Sequence, residues 1–163
     1  MLSTDIVDVI FTIPEEIRFM LVDGKHYKTI WPNKALRGVT IIDQTYLPFE
    51  FKLTDLTSLE EVVQAIKFMK VRGAPLIGVT GAYGIAIALT QNSSDQSLIE
   101  AKHQLIKSRP TAVNLSWAVK LVCDQLQREP RSDRAKMAWM LADKLANEDV
   151  ETNQSIGEFG FKI

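Results

Sequence analysis

Thiols and imidazoles are scarce in this sequence. Its 163 residues hold one cysteine, Cys123, and two histidines, His26 and His103. A lone thiol forms no internal disulfide, and one Cys with two distant His satisfies no zinc spacing, so no disulfide scaffold, metal or other cofactor is expected. An excess of one charge is missing too: 19 Lys and Arg against 20 Asp and Glu leave a formal net charge of −1. Such a balance gives no electrostatic footprint for nucleic acid or an anionic membrane, so any anion site must be local. The longest apolar run, residues 74–89, is interrupted by three glycines and falls short of the roughly 20 residues of a membrane span. No charged segment followed by an apolar stretch and a small-residue cleavage site opens the chain, so a reducing cytoplasm is the expected location.

What is present is a globular composition, 46% hydrophobic and 24% charged, at a length suited to one domain with its own core. Residues 1–24 show no sustained period and read as an irregular leader with a short helix over Glu15–Leu21. From the Asp23-Gly24 turn the chain reads as strands at Tyr27–Trp31, Val39–Asp43 and Phe49–Leu53, separated by Pro32-Asn33 and Leu47-Pro48. Their closeness predicts a small antiparallel sheet.

Helical periodicity takes over at Ser58, which forms a capping box with Glu61 ahead of Leu59, Val62, Val63, Ile66 and Met69. A second helix carries the glycine-bearing apolar segment and ends at Asn92-Ser93-Ser94-Asp95. A third, marked by Leu98, Ile99, Leu105 and Ile106, stops before Arg109-Pro110. Thr111 or Asn114 is the expected cap of the next, whose face is Leu115, Val119, Val122 and Leu126. A final pair is expected over Ala135–Asn147 and Val150–Phe159. The fold class is therefore α+β and mostly helical: a three-stranded antiparallel sheet followed by a bundle of about five helices, with residues 25–163 as one domain.

The chain is organised around Val71-Arg72-Gly73-Ala74-Pro75. A basic side chain precedes a glycine free to turn at either sign of φ, and a proline stands where a helix takes its first residues. A helix start of this kind offers unpaired N–H groups and the positive end of the macrodipole to an anion. Arg72 would add a fork that grips two phosphate oxygens. Gly78, Gly81 and Gly84 follow at intervals of three. Each costs about 1 kcal/mol against alanine in a helix, so the absence of side chains must permit a close approach, by a ligand or by another backbone. Spacing leaves both open, and the Arg-Gly turn favours the anion.

Other chemistry-bearing residues read as structural. Cys123 shares the apolar face of Val119 and Leu126, where a buried thiol stays protonated. His103 lies on a stripe with Ile99 and Ile106, and His26 beside a turn. Asp43, near a strand end, suits turn hydrogen bonding, and Asn153 a cap or loop. Arg72 and Arg109 remain, each at a segment boundary next to a Gly or Pro that fixes its backbone.

Four segments carry a family resemblance: Ile42-Asp43-Gln44-Thr45-Tyr46-Leu47-Pro48, Val71-Arg72-Gly73-Ala74-Pro75-Leu76-Ile77-Gly78, Arg109-Pro110-Thr111-Ala112-Val113-Asn114-Leu115, and Glu148-Asp149 with Asn153 and Ile156-Gly157. In order and interval, over about residues 25 to 160, they resemble methylthioribose-1-phosphate isomerases. These enzymes of methionine salvage interconvert an aldose and a ketose, and share a fold with ribose-1,5-bisphosphate isomerases and regulatory subunits of a translation-initiation exchange factor. The resemblance implies that Arg72, Gly73, Ala74 and Arg109 contact a sugar phosphate, chiefly its phosphate, without a cofactor, nucleic acid or membrane, in what is a homodimer at full length. The family's catalytic cysteine and aspartate, and its Rossmann-like carboxy-terminal domain, fall beyond Ile163. The resemblance thus implies a truncated amino-terminal part with half of the substrate site and no activity by itself. Cys123 does not correspond to the catalytic cysteine. A non-catalytic binding module and a bisphosphate isomerase fragment are the alternatives.

Overall fold

A computed structural model describes residues 20–161. Two small antiparallel sheets come first: a hairpin of β1 (Met20–Val22) and β2 (Lys25–Tyr27), then a three-stranded sheet of β3 (Ile30–Asn33), β4 (Gly38–Ile42) and β5 (Leu53–Leu56) in the order β3-β4-β5. Five helices follow: α1 (Leu59–Lys67), α2 (Ala74–Gln91), α3 (Asp95–Ser108), α4 (Val113–Leu126) and α5 (Arg131–Gly160). The expected α+β class, with a three-stranded sheet leading into five helices, is what the described residues form.

The strands differ in detail from the sequence reading. Asp23 and Gly24 both take positive φ, 49° and 74°, the conformation of a two-residue hairpin turn whose twist matches its strands. Val22 thereby pairs with Lys25 and Met20 with Tyr27. The end of the supposed leader is thus a strand, and the rest of the helix expected over Glu15–Leu21 lies outside the described residues. Tyr27–Trp31 is two strands rather than one, because Tyr27 closes the hairpin and Ile30 starts the second sheet opposite Ile41. Pro32 sits inside β3, which is tolerated because β3 is an edge strand. β4, central and buried throughout, matches the strand expected at Val39–Asp43. The third strand runs over Leu53–Leu56 instead of Phe49–Leu53; Phe49, 96% exposed, belongs to a loop.

α2 is the axis of the bundle. Residues 76–89 are all buried, and α1, α3, α4 and α5 all pack against it. It is long and apolar enough to cross a bilayer by composition, yet it is enclosed by its neighbours. A Cβ on Gly78 would stand 3.0 Å from the Asn114 carbonyl oxygen and 3.3 Å from the Ala118 Cβ; one on Gly81 would stand 2.5 Å from Leu115 Cδ1. Gly78 and Gly81 therefore admit α4, while Gly84 faces Val62 of α1 and Leu105 of α3, so the close approach is by protein. α4 buries the predicted face of Leu115, Val119, Val122 and Leu126. Its N-cap is Ala112, with no side-chain cap, so neither Thr111 nor Asn114 serves as expected.

The expected final pair of helices is one helix, α5, of 30 residues. Its first half is tied down by polar contacts. Arg134 is buried and donates from Nε to the Leu126 and Glu129 carbonyls at 3.0 and 3.2 Å, and from Nη1 to Asp95 Oδ1 at 2.6 Å. One fork thus joins the C-terminal end of α4 to the first turn of α3. Asp95, which also pairs with Arg131, is held below the usual carboxylate range by Arg134 first and Arg131 second. Tyr83 donates to Asp143 at 2.7 Å, and Trp139 Nε1 to Thr90 Oγ1 at 2.9 Å.

Removing Arg134 would take a buried donor from the Leu126 and Glu129 carbonyls and its shortest bond, at 2.6 Å, from Asp95. Arg134→Ala is expected to lower unfolding stability by about 2–4 kcal/mol, and Arg134→Lys to restore little, since a single ammonium does not reproduce the fork. Urea unfolding of the three proteins reads this out; a loss under about 0.5 kcal/mol in Arg134→Ala would contradict it.

Candidate functional site

The segment from Phe68 to Ala74 is built by three local devices. α1 opens with the predicted capping box, Ser58 with Glu61, and closes with a Schellman arrangement in which Met69 N–H donates to Ile66 O and Lys70 N–H to Ala65 O at 2.9 Å. Met69 takes the left-handed position usually given to glycine, at φ 59°. Lys70 then faces Asp43, its Nζ 3.5 Å from Oδ2, while its carbonyl accepts from Gln44 N–H at 2.8 Å. Asp43 also receives Thr45 N–H at 3.1 Å and Thr45 Oγ1 at 2.6 Å, an Asx-type turn as its sequence position suggested. Burial alone would push the Asp43 carboxyl up, but Thr45 and the Lys70 ammonium together hold it below its ordinary value. The loop after β4 is thereby fastened to the turn that carries Arg72.

Val71 anchors that turn in the core, while Arg72, Gly73 and Ala74 are exposed. Arg72 Nε donates to the Met69 carbonyl at 3.4 Å. Gly73 is the N-cap of α2 at φ 88°, ψ 132°, with nothing within 4 Å of where a Cβ would stand. Glycine is required here by its backbone torsion, not by crowding. α2 starts without a side-chain cap or an acidic residue in its first turn, whereas Ser58 and Ser94 cap α1 and α3. Its first N–H groups and the dipole are therefore presented to the outside.

Arg109 is the C-cap residue of α3, and its carbonyl accepts from Ala112 N–H at 3.0 Å. It leads into α4, whose first turn also lacks a side-chain cap and an acidic residue. The contact of Gly78 with Asn114 and Ala118 makes the opening turns of α2 and α4 neighbours. Beside them lies a cleft of about 220 Å³, lined by Pro75, Gly78, Asn114 and Trp117 from these helices and by Glu148 and Asp149 from α5. Sequence reasoning missed this cleft. Three of its four motifs, the Arg-Gly-Ala-Pro turn, the Arg-Pro-Thr-Ala-Val-Asn-Leu segment and Glu148-Asp149, send residues to it. Asn153, expected in a cap or loop, instead lies within α5 and donates from Nδ2 to the Asp149 carbonyl at 2.8 Å and to Asp149 Oδ1 at 3.1 Å. His103 is exposed on α3 and does not line this cleft.

The pattern of the initiation factor 2 subunit family matches residues 70–163. A protein of Sinorhizobium medicae named methylthioribose-1-phosphate isomerase is 45% identical over 144 residues, which is 88% of this chain and 40% of that protein. Among solved structures, the 5-methylthioribose 1-phosphate isomerase of Pyrococcus horikoshii OT3 superposes with a TM-score of 0.78 at 33% identity, covering 85% of this chain and 41% of that one. Subunit delta of the translation initiation factor eIF-2B from A. fulgidus superposes with a TM-score of 0.74 at 35% identity, covering 82% of this chain and 40% of that one. The chain thus spans about two fifths of the length of these proteins.

Cys123 stands apart from the cleft, fully buried in α4. Burial pushes its thiol up from 9.0 to about 11; nearby Lys102 opposes this and Asp124 adds to it. A fold that keeps a thiol protonated loses stability once the unfolded chain begins to ionise, so this contribution is intact below about pH 8.5 and disappears as pH rises through the folded value. Between about pH 8 and 11 the native protein is expected to lose roughly 2–3 kcal/mol more stability than Cys123→Ala. Parallel pH slopes for the two would contradict this, as would rapid labelling of the native thiol by a neutral reagent.

Proposed function

The chain belongs to the initiation factor 2 subunit family, and we propose that it forms the phosphate-holding part of a methylthioribose-1-phosphate isomerase. The observation that carries this reading is the start of α2: an uncapped first turn behind Gly73 at φ 88°, with Arg72 before it. An anionic oxygen placed there meets the Ala74 N–H, the helix dipole and the Arg72 guanidinium together. Arg109, the C-cap of α3 in the turn leading to the neighbouring α4, supplies the second cation. The names of the relatives, found at 45% identity over most of this chain, supply the substrate.

In the proposed reaction hydrogen moves from C2 to C1 of a sugar whose anomeric oxygen carries phosphate. Cations and backbone donors position that phosphate and neutralise it; at neutral pH they neither accept nor release the proton being moved. The assignment to residues 20–161 is therefore binding and orientation. A second reading, a non-catalytic binding module, draws on the likeness to the A. fulgidus initiation-factor subunit. Ligand binding separates neither, but turnover in a longer relative that depends on the matching arginine favours the first.

Charge-assisted bonds contribute about 1.5–3 kcal/mol each, so Arg72→Ala is expected to weaken methylthioribose 1-phosphate binding roughly 10- to 100-fold by calorimetry. Unchanged affinity would remove Arg72 from the site. The purified 163-residue chain is expected to show no turnover in a coupled assay in which a full-length relative serves as positive control. Turnover that survives repurification and vanishes in Arg72→Ala would overturn that assignment.

A further inference from the structure

The cleft beside the Arg72 turn has a chemistry of its own. Pro75, the second residue of α2, forms part of its wall, so the cleft begins one residue after the Ala74 N–H of the proposed phosphate site. Its apolar lining includes Val79 and the half-exposed Trp117. Its polar lining is Asn114 from α4 and Glu148, Asp149 and Thr152 from α5; no Lys or Arg is among the lining residues. Glu148 is engaged by Lys144 Nζ at 3.7 Å, across one turn of the same helix. Asp149 is half-buried, and Asn153 Nδ2 holds its Oδ1 at 3.1 Å, leaving the second carboxylate oxygen to accept from a ligand. At about 220 Å³ the cleft lies below the roughly 300–1,000 Å³ of sites for drug-sized ligands, which suits a monosaccharide and not a nucleotide.

Resting on the phosphate assignment above, we infer that this cleft selects the far end of the sugar, with Asp149 and Trp117 as its specificity-determining residues, and that it accepts an uncharged, partly apolar 5-substituent while rejecting a second phosphate. A phosphate held at Arg72 and Ala74 directs the ribose towards Pro75. The sugar hydroxyls donate to Asp149 and pair with the Asn114 amide, as carboxylates and amides pair with diols. A thioether at C5 lies against Trp117 and Val79, where removal from water favours it. A phosphate at C5 would instead face Asp149 with no cation in the wall to neutralise it, and like charges in a partly desolvated cleft repel. The residues thus distinguish a sugar monophosphate from a sugar bisphosphate by the charge of a carboxylate and by apolar contact.

The test titrates the 163-residue chain and its variants with inorganic phosphate, methylthioribose 1-phosphate and ribose 1,5-bisphosphate, following backbone amide shifts by NMR and affinity by calorimetry. The native chain is expected to bind the methylthio sugar at least tenfold more tightly than the bisphosphate, with shifts at both Gly73-Ala74 and Asn114-Trp117. Trp117→Ala should lose at least fivefold more affinity for the methylthio sugar than for inorganic phosphate. Asp149→Asn should raise bisphosphate affinity at least fivefold. Shifts at Gly73-Ala74 with none in the cleft, or a bisphosphate bound as tightly as the methylthio sugar, would overturn this inference and leave the phosphate assignment standing. Absence of shifts at Gly73-Ala74 with all three compounds would overturn both.

Discussion

A helix that is apolar on every side has no face to give to water, and α2 imposes that condition on the rest of the chain. Its residues 76–89 are buried without a gap, so helices must stand around it in all directions, and α1, α3, α4 and α5 do so. The polar atoms it carries are satisfied inside: Thr80 Oγ1 donates to the Leu76 carbonyl at 2.7 Å, and Tyr83 reaches Asp143 on α5. The Tyr83 hydroxyl is pushed far above its ordinary range, by burial first and by the Asp143 hydrogen bond second. It is a structural donor. Gly78 and Gly81 set how near α4 comes, so the distance between the two uncapped helix starts is fixed by missing side chains.

The enclosure of α2 matters to the site because it leaves the first turn with little freedom. A helix gripped from four sides has little freedom to shift its N-terminus, so the uncapped N–H groups of its first turn are oriented before anything binds. The approach to that turn is equally determined. Met69 closes α1 in a left-handed conformation, Lys70 is pinned by Asp43 and Gln44, and Gly73 turns at a torsion open to no side chain.

What could be read from the sequence was whatever depends on neighbours in the chain. The Ser58–Glu61 capping box, the buried face of α4, the Asp43 turn and the Arg-Gly start of α2 are all local patterns, and each is present in the structure. Patterns decided by distant partners were read less well. β5 begins four residues late because its register is set by β4, with Leu53 opposite Ile42. α5 is one helix where two were expected; its buried residues end at Leu145, which marks where the helix leaves the bundle, not where it ends. The glycines of α2 read equally well for ligand and for protein, since spacing records only that something comes close. The cleft was illegible for the same reason: Pro75, Asn114 and Asp149 are remote in sequence and meet only when α4 and α5 settle on α2.

α5 also has a mechanical consequence. At about 1.5 Å per residue its 30 residues extend some 45 Å, against about 27 Å for the 18 residues of α2. Fixed contacts are spread along the first part, from Arg134 through Trp139 and Asp143 to Asn147, which accepts from Lys28 Nζ at 3.4 Å. Beyond Leu145 no described residue of the helix is buried, and Ile156 and Phe159 are 64% and 70% exposed. The helix is therefore a beam clamped over half its length. A rotation of about 10° at the clamp displaces its far end by roughly 3 Å, because the overhang is about 20 Å. Asp149 stands close to the fulcrum and moves by a fraction of that. Whatever bears on the outer half of α5 is thus geared down before it reaches the cleft.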